Sequence, residues 1–529
     1  MKLKKDFWIL FISIAIFLSV ILQLLMLSVK HNEGNIIYAT DDAFIHMAIA
    51  KNFVNHGIWG VTKYGFTSSS SSILWTLLLS FIYFLTGVNH IVPIVLNIFF
   101  SIVLIISLYI LLKNFGFKSL YLFLILMSII FFTPLPILVF TGMEHVLHTL
   151  ITIIFVHFAG RDLSEEHSQK KNKFPVLLTA LSPLVTMSRY EGMFLIFIVS
   201  LLYMFRKRFL YGIILFITSM LPIAIFGFIS MAHGWYFLPN SVLLKGHITT
   251  GSLKSIFLFF YNTYQIIITN PHMLVIITGT VIIFYLQYSK DNLLWKYNVI
   301  MPLIFILVSL FHIQFARIST KYFFRYEAYL VALGLFAMSI SWHDYVHKNL
   351  SFKSDKKSLP KYFAMAFLGI FFILPLAERG YNSLIYTVKS TSDIYRQQYQ
   401  MSLFLKKFYK DRSIAINDLG AVSYFSDVKI LDIWGLGSIE VAKLAVENKY
   451  NADEIYKLSV EKQVEIASVY DLDTVPSDRW IKVAEWHMKD YVIAGEYISF
   501  YAVNRSETDK LINNLKKFKL DENVILIIK

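Results

Sequence analysis

Thr40-Asp41-Asp42-Ala43-Phe44-Ile45 follows a long apolar run, residues 7–29, after a short polar link. Two adjacent carboxylates therefore stand where a first membrane span gives way to water. Ionisable side chains at a membrane boundary are costly to hold and usually mark chemistry or ion handling. The residues that follow, Ala43 to Phe53, read as an amphipathic stretch.

Composition points the same way. The 529 residues are 56% hydrophobic and 16% charged, with a mean hydropathy of +0.58. Soluble domains sit nearer about 45–50% apolar and about 25% charged, so the chain reads as a polytopic membrane protein. The net charge of +14 comes from 49 Lys+Arg against 35 Asp+Glu. Basic residues fall in alternate loops, as the positive-inside rule requires. No basic stripe interleaved with stacking aromatics stands out, which argues against a nucleic-acid partner. The absence of cysteine excludes disulfides, thiol catalysis and Cys-bound metal.

Apolar runs of near-spanning length occur at 7–29, 91–112, 119–134, 145–160, 174–188, 192–205, 209–230, 272–289, 297–315, 322–341 and 361–378. The first reads as an uncleaved span, because it is longer than a signal-peptide core and no small-residue cleavage site follows. Basic clusters such as Lys113/Lys118 and Arg206-Lys207-Arg208 alternate correctly only if the further apolar stretch Ile73–Thr86 does not cross. That stretch is expected to lie in the outer leaflet. The reading gives about eleven transmembrane helices, with the N-terminus cytoplasmic and the C-terminus outside.

With that parity, four polar clusters share the outer face. They are the first outer loop 30–72; Gly142-Met143-Glu144-His145; Arg189-Tyr190-Glu191; and the loop 231–271 with Pro239-Asn240-Ser241 and Lys245. Beyond 378 the texture turns mixed and polar. Strand-like runs at Ser413–Asn417, Lys429–Ile433, Tyr491–Val492, Tyr497–Ala502 and Val524–Ile528 alternate with helix-like segments, Ser438–Glu447 and Asp453–Ala467. Residues 1–378 are thus expected to form a transmembrane module, and 379–529 a periplasmic α/β domain. The run Ser68–Ser72 reads as a flexible turn into the interfacial helix 73–86.

Several of these stretches, in order, resemble the GT-C superfamily of membrane glycosyltransferases, most of all the mycobacterial terminal arabinofuranosyltransferases and their bacterial relatives. The likeness rests on Thr40-Asp41-Asp42-Ala43-Phe44-Ile45 through Leu74-Trp75-Thr76, then Gly142-Met143-Glu144, Arg189-Tyr190-Glu191-Gly192, Pro239-Asn240-Ser241 with Lys245, and Asn417-Asp418-Leu419-Gly420-Ala421. Ala48, Ser70-Ser71-Ser72-Ile73 and Tyr190 depart from that family's pattern, at positions where it has Arg, Tyr-Thr-Ser-Pro and Pro. The resemblance implies transfer of a sugar from a polyprenyl-phosphate carrier to an acceptor hydroxyl outside the membrane. The acceptor would be a cell-envelope glycan, lipid or protein, and the site a bacterial inner membrane.

Such a transfer needs few parts. Phosphate is a good leaving group, so the central need is a base for the acceptor hydroxyl, here Asp41 or Asp42. One base opposite the leaving group gives inversion, by analogy with inverting glycosidases. The competing reading of one aspartate is a cap on the helix that follows. A Mg or Mn ion shared by Asp41 and Asp42 is a further reading; no organic cofactor is implied. Glu144 is either a second acid at the site or a helix-start acid facing the dipole. Arg189, Lys51, Lys245 and Arg325 are candidates for the donor phosphate, with Arg189 and Glu191 alternatively a local ion pair. Asn240 is a candidate substrate contact. His145 and His148 carry a weaker metal reading, and turn chemistry accounts for Asp418 and Asp432. The alternative from another class is a transporter or flippase of a lipid-linked glycan. Against it, the acids cluster at one boundary and no repeated halves are visible.

Overall fold

The computed structural model describes residues 7–164, 175–244, 261, 263–266, 268–291, 293–316, 318, 323–349 and 359–529. The chain is a polytopic helical membrane protein with a C-terminal α/β domain. Among the described residues, six helices are long and apolar enough to cross a membrane: Phe7–His31, Val92–Asn114, His145–Leu163, Phe209–Ala232, Pro271–Ser289 and Tyr297–Phe315. Ser119–Phe132, Val176–Ser188 and Gly192–Phe205 have only 13 or 14 residues. At a rise of about 1.5 Å per residue each reaches ~21 Å, short of the roughly 30 Å of a hydrocarbon core. Length and apolarity alone therefore carry six of the eleven expected spans.

The two ends of the helical body differ in chemistry. At one end Arg208 pairs with Asp162 at 2.5 Å and Arg206 lies over the Trp295 ring. At the other end the loops around residues 40, 72, 144, 190 and 240 come together. The helix Ile73–Thr86 starts and finishes at this second end. Its N-cap Ser72 accepts from the Trp75 amide, while the chain after it returns to Tyr38, whose hydroxyl donates to the His90 carbonyl at 2.5 Å.

Helix Leu359–Ile394 runs through residue 378 without a break. A π-helical turn, Tyr395–Tyr399, and the helix Gln400–Phe408 carry it on into the domain. The polar texture from 379 is thus the solvent and docking end of one long helix. The domain's sheet contains β1 (Ser413–Ile416), β2 (Lys429–Asp432), β3 (Ile466–Val469), β4 (Ile481–Met488), β5 (Tyr497–Ala502) and β6 (Val524–Ile528). Their order is β2-β1-β3-β5-β4-β6. β1 pairs parallel with β2 and β3, and the other pairings are antiparallel. Alternation along β1 decides the two faces. Ile414 and Ile416 pack with Phe404, Leu405, Leu511 and Leu515, whereas Ala415 packs with Val441 and Ile455 on the other side.

A second helix also ties body and domain together. Asp42–His56 is buried almost all round from Ala43 to Ala50, so the stretch expected to be amphipathic is a wedge between two cores. Ala43, Phe44, Met47 and Ala48 enter the core of the helical body. Ile45 and Ile49, one turn apart, enter the core of the domain. Each such isoleucine contributes about 1.5–3 kcal/mol when fully buried.

Candidate active site

The wedge helix starts at the site, and its geometry separates the two aspartates. Successive helical residues point about 100° apart. Asp42 and His46, at i and i+4, line one cleft together with Ser69, Ser71, Arg189, Tyr190, Glu191, Arg325 and Tyr326. Met143, Met193, Phe194, Phe315 and Ala316 form its apolar part, and Leu436 of the C-terminal domain borders it. The cleft encloses about 820 Å³, part of it open to solvent.

Asp42 is 24% exposed and forms an ion pair with Arg325. Arg325 also donates to the Tyr326 hydroxyl at 3.2 Å, and its guanidinium lies 5.0 Å from that ring. Glu144, fully buried, takes a hydrogen bond from Arg189 Nη1 at 2.6 Å. The other edge of Arg189 grips Glu191 with two bonds, 3.1 and 2.6 Å. Burial alone would raise the Glu191 carboxyl, but the guanidinium overrides it and holds the pKa at about 2. The charge of Arg189 is thus shared between two carboxylates.

The serine run packs as a structured hub, against the expectation of a flexible turn. Ser68, Ser69, Ser70 and Ser72 are buried. Ser70 Oγ lies 3.2 Å from His46 Nδ1 and 2.9 Å from Thr76 Oγ1. Ser71 Oγ donates to Glu144 at 3.2 Å and lies 3.3 Å from His46 Nε2. Ser69 Oγ donates to the Leu436 carbonyl at 2.6 Å. Buried hydroxyls need partners; those of Ser70 and Ser71 find them in His46, Thr76 and Glu144, and that of Ser72 in the Met187 carbonyl. Gly142 opens the Glu144 loop with φ +65°, and a Cβ there would lie 2.4 Å from the Tyr38 ring.

Asp41 turns the other way. It is the residue before the wedge helix but makes no side-chain cap to it. Its carboxylate instead accepts from the amides of Gly420 at 2.6 Å and Ala421 at 2.8 Å, at the start of the short helix Gly420–Phe425. A Cβ on Gly420 would lie 2.0 Å from the Asp41 carbonyl oxygen, so this approach requires glycine. Burial and then the nearby Asp418 raise the Asp41 pKa to about 8, against the pull of the two amides. Asp418 is itself raised by burial; it accepts from Gln398 at 2.6 Å and from the Tyr470 hydroxyl at 2.7 Å. Its role is therefore in this interface network rather than in a turn. Asp432 does organise a turn, accepting from the amides of Trp434 and Gly437.

Two other candidates also serve the joint. Lys51 Nζ donates to the Tyr424 carbonyl at 2.8 Å and lies 3.8 Å from Asp427, away from the cleft lining. Asn240 is fully buried; its side chain donates to the Gly435 carbonyl at 2.7 Å and its amide to Ser68 O at 2.8 Å. Lys245 lies outside the described residues. Asp42, Arg189, Glu191 and Arg325 are thus brought together with Glu144 behind them, whereas Asp41, Lys51 and Asn240 are not. His46, Ser69, Ser71 and Tyr326 join the cleft without having stood out in the sequence. For His46 a signal existed in its i+4 spacing from Asp42.

The arrangement does not fit a divalent ion shared by the two aspartates. Both oxygens of Asp41 accept from amides, and Asp42 is paired with a guanidinium. His148 bonds Ser188 at 2.8 Å, and His145 lies 3.4 Å from Arg189 Nη1. Among the described residues no three His, Cys, Asp or Glu side chains gather as metal ligands would.

Residues 391–504 match the family model "Domain of unknown function (DUF8728)". No curated protein matches the sequence. The Archaeoglobus fulgidus oligosaccharyltransferase, solved with Zn and sulfate, overlaps 96% of this chain and 75% of its own, at 11% identity and a TM-score of 0.46. ArnT from Cupriavidus metallidurans overlaps 93% of this chain and 98% of its own, at 12% identity and a TM-score of 0.48. Neither likeness is strong enough to assign an activity.

Proposed function

We propose that the protein is an inverting glycosyltransferase that moves a sugar from a polyprenyl-phosphate donor to a hydroxyl of an envelope glycan, lipid or protein. The observation that carries this reading is the split character of one cleft. Asp42 and Arg325 stand on a polar wall, while Phe194, Phe315, Met193 and Ala316 form an apolar wall at the ends of membrane helices. A prenyl phosphate has the same two halves. The sequence resemblance to GT-C enzymes, read independently from the motifs, agrees with this chemistry.

In this reading Asp42 is the base. As the acceptor oxygen bonds to the anomeric carbon, its proton passes to the Asp42 carboxylate. The anomeric carbon–oxygen bond breaks on the opposite face, and the electron pair leaves with the prenyl phosphate. Arg325 neutralises Asp42 at rest and, with its planar fork, meets the phosphate charge as it develops. Arg189, held between Glu144 and Glu191, orients the neighbouring wall. Taking the basic end of the helices as cytoplasmic, the reaction lies on the periplasmic face of a bacterial inner membrane.

The test uses the full chain in lipid nanodiscs with radiolabelled polyprenyl-phosphate pentose and hexose donors and an envelope extract as acceptor. Transfer is expected for wild type, with a loss of about 10²–10⁴-fold in Asp42→Asn at unchanged unfolding midpoint. Full activity in Asp42→Asn would remove the base. Donor translocation without transfer would favour a flippase instead.

A further inference from the structure

Arg325 reaches Asp42 from a short turn whose backbone is unusual. Phe324, just before it, has φ +46°, a conformation that bulky L-residues rarely adopt. One buried side chain grips this turn on both sides of Arg325. Arg379, on helix Leu359–Ile394, donates through Nη2 to the Phe324 carbonyl at 2.8 Å and through Nη1 to the Glu327 carboxylate at 2.5 Å. The same Nη2 lies 3.3 Å from the Thr133 carbonyl, and the guanidinium sits 4.8 Å from the Phe324 ring. Arg379 and Glu327 are both buried, and His272 Nε2 lies 3.4 Å from Glu327. None of these groups lines the cleft.

We propose that Arg379 is a positioning residue: its guanidinium locks the 324–327 turn with Phe324 in the left-handed region, which sets Arg325 against Asp42. That Arg325 then meets a donor phosphate rests on the function proposed above; the positional claim does not. A simple buried ion pair explains less. Glu327 alone would be served by a lysine's point charge, whereas a carbonyl and a carboxylate on either side of Arg325 match the fixed fork of an arginine, Nη1 to one and Nη2 to the other. Phe324 supplies the second half of the logic. A conformation unfavourable by itself persists only where its surroundings hold it, and the Arg379 bond to its carbonyl is such a hold.

The chain contains no cysteine, so an introduced pair reports cleanly. Asp42→Cys/Arg325→Cys is cross-linked with a short bis-maleimide in the full chain. Adding Arg379→Lys, which retains the charge facing Glu327, is expected to lower the yield at least threefold at an unchanged unfolding midpoint. Adding Phe324→Gly to that background, where glycine accepts positive φ freely, is expected to restore most of it. In the otherwise native chain, Arg379→Lys should slow transfer by about 10²-fold, the scale of a small misplacement. If Arg379→Lys fails to fold, Arg379→Gln with and without Phe324→Gly is read in the same way. An unchanged cross-link yield, or a lowered yield that Phe324→Gly does not raise, overturns the positioning role. A lowered and rescued yield in a chain that transfers no sugar keeps the positioning and overturns the enzymatic reading.

Discussion

Asp42 opens onto a cleft beside Arg325, His46 and Glu191; Asp41, one peptide bond earlier, has its carboxylate on the amides of the C-terminal domain. The first region is partly open and rich in paired charge. The second is a packed joint in which Asp41 and Asp418 are half-buried, and desolvation pushes both carboxylates towards the neutral form. The difference teaches that a cluster of polar residues at a membrane rim serves two needs, chemistry and docking. The helix that carries both aspartates decides which side chain serves which.

The comparison breaks most easily at Arg325. Arg325→Met should reduce transfer by about 10²–10³-fold, the scale of losing one group that stabilises developing charge. Donor-concentration series separate a binding loss from a rate loss. A variant retaining near wild-type transfer would mean that other cations, Lys245 among them, meet the phosphate. On the docking side, Gly420→Val should destabilise the joint by about 1–3 kcal/mol through overpacking. Denaturation and limited proteolysis of the domain would record it. A neutral outcome would mean that Asp41 does not approach Gly420 so closely.

The aspartates also differ in their response to pH. The folded-state pKa of Asp41 is raised from 3.8 to about 8, so the folded chain binds the proton more tightly than the unfolded one. Its contribution to stability is full below about 4 and is lost as pH rises towards about 8. The unfolding midpoint of wild type should fall across that window, and Asp41→Asn should flatten the dependence. A midpoint that rises there would place a charged Asp41 in the joint. The smallest effect is expected at Lys51. Lys51→Met removes one bond to the Tyr424 carbonyl and should cost about 0.5–1.5 kcal/mol, with donor affinity unchanged. A large loss of donor affinity would return Lys51 to the phosphate.

Much of the fold was legible because helices and strands carry periods. The apolar runs located the membrane helices, and β1, β2, β5 and β6 lie within the runs expected from their β-branched residues. β3 and β4 escaped. Only four residues separate β3 from the helix Ala452–Glu461, so the helical pattern ran on to Ala467 and covered its first half. β4, Ile481–Met488, mixes Lys482, Glu485 and His487 with apolar residues and lacks a dominant apolar run. Tyr491–Val492 is no strand; the amides of Val492 and Ile493 bond to Asp393 instead. Within the site, Asp42, Glu144, Arg189, Glu191 and Arg325 stood out as charges at a boundary. What the sequence could not convey was direction. Nothing local distinguishes Asp41 from Asp42, and the partner that claims Asp41 lies almost four hundred residues away at Gly420. The packing of Ser69–Ser72 is likewise set by distant partners, since a polar run reads the same whether water or His46 and Glu144 answer it.

The central claim, that the cleft aspartate carries the chemistry and its neighbour the joint, is tested most directly by the ratio of transfer rates in Asp41→Asn and Asp42→Asn. The rates are measured in nanodiscs at matched folded fraction. The account predicts that Asp41→Asn keeps at least tenfold more activity than Asp42→Asn, consistent with the scale of general-base loss, while Asp41→Asn alone changes the protease sensitivity of the C-terminal domain. Equal losses in both, or a larger loss in Asp41→Asn, would contradict it.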